Sequence, residues 1–169
     1  MAKPPLNIKI STHAKDLGLS HIKKEMAKLD KKPFVKIGIQ GKSAAEVKTG
    51  TDVSLVLVAT AHEYGIPSRG IPERSYIRKT VNENQSKYDQ LAAQLKDKIM
   101  DASQGFTTEK ALNLIGMTVQ SDIQKTIQGN NAGLNGPTPL KYRDGTPLFD
   151  TGQLNRSILY VREMNGGSK

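Results

Sequence analysis

The stretch from Ala59 to Thr80, A-T-A-H-E-Y-G-I-P-S-R-G-I-P-E-R-S-Y-I-R-K-T, constrains the fold more than any other part of the chain. Gly65, Pro67, Gly70 and Pro72 stand between the end of an apolar run and the start of a long amphipathic pattern. Proline removes a backbone donor and fixes φ, while glycine supplies positive φ, so one helix or strand does not run through this segment. It reads as a joint that aims His62, Glu63, Arg69, Glu73, Arg74 and Arg78 relative to the two elements it connects. No common catalytic motif has this form.

On the N-terminal side of the joint, Leu6, Ile8 and Ile10 alternate after Pro4-Pro5, a short strand or extended arm. Leu19, Ile22, Met26 and Leu29 follow at helical spacing with Lys23, Lys24, Lys28 and Lys31 on the other faces, which predicts an amphipathic helix. Beyond Pro33, Val35, Ile37 and Ile39 alternate with Lys36, Gly38 and Gln40, the pattern of a strand with one buried face. Gly41 to Thr51 is polar and reads as an exposed loop. Val53 to Ala61 is apolar almost throughout, and periodicity alone does not separate strand from helix there. Its valines favour a strand, but Asp52 can cap a helix and Ala59 and Ala61 continue one, so we read a helix with Gly65 as its left-handed C-cap.

On the other side, Val81, Tyr88, Leu91, Leu95 and Ile99 form one stripe of a long helix ending near Asp101. After a break at Ser103 to Phe106, Leu112, Ile115, Val119, Ile123 and Ile127 mark a second long helix. Gly129 to Pro147 keeps no hydrophobic period, and a loop of that length inside a domain is usually functional, disordered, or ordered only by a partner. Ile158 to Val161 reads as a terminal strand. The whole is a single α+β domain over residues 1–169: an arm and helix in 1–33, a small, mostly antiparallel sheet packed against two long helices, and an extended loop at 129–149.

Chemistry-bearing motifs are incomplete. Leu148-Phe149-Asp150-Thr151-Gly152 has the form of an aspartic-protease signature, but only 17 residues follow Gly152, too few for the rest of such a domain. Asp150 or Thr151 more simply caps a turn around Gly152 to Leu154. His62-Glu63 opens like the zinc motif H-E-x-x-H, but position 66 is Ile and the chain has no cysteine. We therefore expect no catalytic, metal or cofactor site. No apolar run approaches the ~20 residues that span a bilayer, and Met1 to Ile10 lacks a signal-peptide core, so folding in the cytoplasm is expected. The net charge of +9 is concentrated at the start, where residues 1–48 hold eleven lysines and four acids. A solvated lysine face is the plain explanation, and contact with DNA or an acidic protein is the functional one. Lysine is a poor device for shaped base recognition.

Two segments resemble a family of tailed-bacteriophage tail completion or neck proteins, which includes virion morphogenesis proteins and minor tail protein Z-like tail components. The first is Ala61-His62-Glu63-Tyr64-Gly65 followed by Ile71-Pro72-Glu73-Arg74-Ser75-Tyr76-Ile77-Arg78. The second comprises Pro139-Leu140-Lys141, Thr146 to Leu154, then Ser157-Ile158 and Tyr160, similar to the family ending P-L-x-x-T-G-x-L-x-x-S-I-x-Y. The resemblance covers roughly residues 34–161 in order; members often carry Arg-Pro-Phe where this chain has Arg74-Ser75-Tyr76. It implies a non-enzymatic virion protein, made in the host cytoplasm, that forms a ring of six copies at the tail end. The ring would contact a connector or stopper ring and the tail tube, with DNA passing through its lumen. The residues expected at subunit contacts are Glu63, Tyr64, Arg69, Glu73, Arg74, Arg78, Asp150 and Thr151. The rival expectation is a basic DNA-binding or packaging-associated protein.

Overall fold

The computed structural model describes residues 18–129 and 152–165. Its elements run α1 (Leu19–Leu29), β1 (Phe34–Ile39), α2 (Leu55–Tyr64), α3 (Tyr76–Glu83), α4 (Gln85–Met100), α5 (Thr108–Gly129), α6 (Gln153–Ser157) and β2 (Ile158–Glu163). Among the described residues this is an α+β fold with one two-stranded antiparallel sheet. The expected N-terminal arm, the long loop beyond Gly129, and Asp150 and Thr151 lie outside the described residues.

β1 and β2 pair with Ile37 opposite Tyr160 and Ile39 opposite Ile158. A lone pair of strands is marginal in water, so it needs an apolar backing. α5 supplies it by packing against both strands. The predicted stripe of α5 turns inward: Val119 is buried, Ile123 and Ile127 are fully so, and all three join Ala59, Tyr76, Leu154 and Ile158 in the main core. Burying each such side chain contributes about 1.5–3 kcal/mol. Gly116 is where helix and sheet come closest, since a methyl group there would overlap the Tyr160 ring. On its other side α5 packs against α3 and α4, and Leu95, Ile99 and Ala111 form a second cluster. Asp122 of α5, nearly buried, accepts bonds from Lys87 Nζ (2.5 Å) and Tyr88 Oη (3.1 Å) of α4. Burial, reinforced by Asp122, pushes the Tyr88 phenol above its ordinary pKa.

Four sequence expectations need correction. The amphipathic pattern after the joint is two helices, not one. The break is Asn84 (φ −105°, ψ 12°), whose side-chain Nδ2 donates to Thr80 O at 2.8 Å, a local bond that competes with helix continuation. The first helix forms as expected, with Ile22 and Leu29 half-buried, but its most buried residue is charged. Leu19 and Met26 are 57% and 51% exposed, and Glu25 is buried instead. The reason is electrostatic: Glu25 Oε2 accepts the Thr108 N–H at 2.7 Å, placing a carboxylate at the start of α5 where free N–H groups and the helix dipole favour negative charge. Lys28 closes the clasp by bridging Glu25 and Glu109.

The Val53–Ala61 run is a helix, but Ser54 and not Asp52 precedes its first turn. Gly65 has φ 72° and ψ 166°, positive but extended, so it reverses the chain without forming a left-handed cap. The polar stretch after β1 is partly structured by a 3-10 turn at Gly41–Ala45 and a Val47–Ser54 bridge. Gln153 of α6 anchors this stretch through Thr49 N (3.0 Å) and Val47 O (2.9 Å).

Candidate functional site

The joint is built from the backbone outward. After α2, Ile66 and Ile71 pair through two backbone bonds (2.7 and 3.1 Å) around a 3-10 turn at Pro67–Arg69. Arg74 N then donates to His62 O at 2.7 Å, bringing the returning chain back against the end of α2. Gly65 is required at this crossing. A Cβ there would sit 2.7 Å from Glu73 N, and its φ is one that side chains rarely adopt.

Glu63 fixes the angle between α2 and α3. Its Oε2 accepts the Ile77 N–H (2.9 Å), and its Oε1 accepts the Arg78 N–H (3.0 Å) and the Ser75 hydroxyl (3.0 Å). Ser75 occupies the N-cap position of α3 but makes no side-chain cap bond of its own. A carboxylate from the preceding helix therefore does the capping, satisfying two N–H groups that α3 leaves without helical partners. Glu63 is 5% exposed, so this is an interior bond set and not a surface ion pair.

Arg78 completes the arrangement from outside. Its Nη2 donates to Glu63 O and to Glu73 Oε1, each at 2.8 Å, and its Nε reaches Glu63 Oε1 at 3.2 Å. The same guanidinium lies over the Tyr64 ring at 4.5 Å, within cation–π range. Next to it, Arg74 is buried at 3% exposure, and burial pulls its pKa below the usual arginine value. His62 is held neutral, its pKa lowered to about 4 by burial and then by the positive charges of Arg74 and Lys48. Burial, with Glu63 adding to it, pushes the Tyr76 phenol above its ordinary range.

The candidate residues thus fall into two groups. Glu63 and Arg74 are inside, and the charge pairing of Glu63 closes within one chain. Tyr64, Glu73 and Arg78 cluster on the surface, and Arg69 stands exposed on the 3-10 turn. Ser75, as a Glu63 partner, and Glu25, as the corresponding cap on α5, were not singled out in the sequence. Ser75 sits where an N-cap would be read, but nothing local indicates that its hydroxyl donates to a residue twelve positions earlier. Also missed was a run of exposed apolar residues on α2: Val56, Leu57 and Tyr64, with Val53 just before the helix. Their spacing is helical, but an element apolar on every face hides which side is left open.

The arrangement positions α2 and α3 rigidly against each other. Among the described residues no group of three His, Asp or Glu side chains is placed to hold a metal ion, and no helix is long and apolar enough to cross a membrane. The cavity at the joint is a shallow groove of about 220 Å³ lined by Ile39, Val56, Thr60, Tyr64, Ile77 and Arg78. Comparison of the chain with protein-family models, with curated proteins and with solved structures gives no match.

Proposed function

We propose that this chain is a non-enzymatic structural subunit of a tailed-phage particle, one of a ring of identical copies that completes the tail and joins it to the head. The observation that carries the reading is the joint. Its sequence resembles the tail completion signature, and its hydrogen bonds hold two helices at a fixed angle while Tyr64, Arg69, Glu73 and Arg78 remain at the surface beside exposed apolar residues. A subunit that acts by shape needs a stiff junction beneath an outward patch of mixed sign, because complementary charges fix register between copies.

A second reading has one observation in its favour. α1 and the residues after it leave Lys23, Lys24, Lys31 and Lys32 exposed, a basic surface suited to DNA. Salt separates the two. Binding driven by phosphate contacts falls steeply as salt rises, whereas apolar contacts between copies persist. Self-association that survives high salt while DNA affinity stays weak supports the ring. Tight, salt-sensitive DNA binding by a monomer supports the rival. In phage carrying the chain, removing it should leave heads and tails that fail to join; normal particles in its absence would reject the neck role.

A further inference from the structure

We infer that the exposed side of α2 is the surface by which one copy grips the next, and that its occupant is the outer face of β2 of that next copy. The inference rests on the ring reading above and names the contact that reading leaves open.

α2 has two sides. Leu55, Ala59 and Glu63 are buried, while Leu57 and Tyr64 are 58% and 61% exposed and Val53 and Val56 about 40%. Positions 56, 57, 60 and 64 recur at helical spacing, so these side chains form one stripe and not scattered contacts, with exposed Val53 just before the helix. Single exposed apolar residues are ordinary, but a continuous stripe marks an interaction surface. Arg78 stacked over Tyr64 holds that ring in place at the end of the stripe, and Tyr and Arg are the residue types enriched among interface anchors.

β2 offers the complement. Its face away from α5 carries Leu159 (38% exposed) and Val161 (41% exposed), followed by Glu163. Gly38 lies directly opposite Leu159, with nothing within 4 Å of where its Cβ would stand, so the sheet has a notch beside Leu159 that a protruding side chain can enter.

The dimensions agree. Val56 to Tyr64 spans about 12 Å at the helical rise, and Leu159 to Glu163 about 13 Å at the strand rise. The charges agree as well. The α2 stripe starts at exposed Asp52 and ends at Arg78, whereas the β2 face follows exposed Arg156 and ends at Glu163, held on the surface by Lys36 at 3.4 Å. Laid in the same direction, each end meets its opposite sign. A copy that offers α2 to one neighbour and β2 to the other makes a head-to-tail contact, the type that closes into rings, whereas a reciprocal α2–β2 pair would stop the cross-linked ladder at a dimer.

The chain contains no cysteine, so introduced thiols report unambiguously. The test is oxidation of three preparations of the full-length chain: Leu57→Cys, Val161→Cys, and the double variant. Both positions are exposed, so folding should be unchanged by circular dichroism. The expected result is a covalent ladder from the double variant that ends at the ring number. An equal mixture of the single variants should stop at a dimer, and either single variant alone should not cross-link. As an independent check, Leu57→Asp should raise the concentration for half-assembly at least tenfold without moving the melting temperature of the monomer.

Self-linking of Leu57→Cys, or its linking to a different polypeptide in assembled particles, overturns the proposal. An absent ladder in a preparation that native mass shows to be oligomeric also overturns it, while leaving the ring standing. A chain that is monomeric in solution and missing from particles removes both.

Discussion

Glu63→Ala is the perturbation that strikes the joint at its source. The carboxylate accepts two backbone N–H groups at the start of α3 and the Ser75 hydroxyl. Loss of a helix cap costs about 0.5–2 kcal/mol, and loss of a part-buried hydroxyl bond about 0.5–1.5 kcal/mol more. The Arg78 pair adds no figure, because that side chain is largely in solvent and such pairs contribute little. A loss of about 1–3.5 kcal/mol is therefore expected, a sizeable share of the roughly 5–15 kcal/mol typical of a domain. At about 2–4 °C per kcal/mol for a chain of this size, the melting temperature should fall by roughly 2–14 °C. Urea unfolding with far-ultraviolet circular dichroism measures it. Glu63→Gln, which retains one acceptor oxygen but turns an amide toward N–H donors, should fall between wild type and alanine. A Glu63→Ala midpoint within about 0.5 kcal/mol of wild type would refute the idea that this carboxylate sets the angle between α2 and α3.

Other consequences follow from the same geometry. His62 has its folded pKa lowered from 6.5 to about 4, so the unfolded chain binds the proton first. Stability should fall as pH drops from 6.5 toward 4, by ~3 kcal/mol over the window at 1.36 kcal/mol per unit, and His62→Gln should flatten that slope in urea titrations. Glu25 and Glu109 are both held below the ordinary carboxylate pKa of 4.5: burial acts the other way, but bonds from Lys28 and from the start of α5 outweigh it. Their contribution should be present above pH 4.5 and lost toward pH 2, where Glu109 titrates, and hydrogen exchange should show α1 loosening from α5 in that range. Gly65→Ala combines strained φ with a clash at Glu73 N and should cost more than 2 kcal/mol by urea unfolding, with strain alone contributing about 1–3 kcal/mol. A neutral result there would mean that the chain crossing is looser than described.

Much of the architecture was legible because periodicity reports burial directly. The stripe at Leu112, Ile115, Val119, Ile123 and Ile127 becomes the inner side of α5, and the alternation at Val35, Ile37 and Ile39 becomes β1. What periodicity does not carry is a bond between residues distant in sequence. Glu25 sits on a helix whose pattern points Leu19 and Met26 inward, yet its bond to Thr108, 83 positions away, turns it inward and exposes them. Asn84 misled for the opposite reason: its effect is local, but a single asparagine in a strong helical pattern carries little weight until its side chain is seen on Thr80 O. At the joint, the glycines and prolines located the turn, and the charges marked Glu63 and Arg74 as important without saying that they are buried. The sequence also concealed the open side of α2, since valine, leucine and tyrosine read the same whether the neighbour covering them is this chain or another copy.

The proposed tail-end ring is tested most directly by electron microscopy of particles assembled with the tagged protein, located by antibody or tag. The account predicts a single ring of copies at the head-proximal end of the tail, with α2 of each subunit facing β2 of the next. Finding the chain absent from the particle, or present there as isolated monomers on DNA, would contradict it.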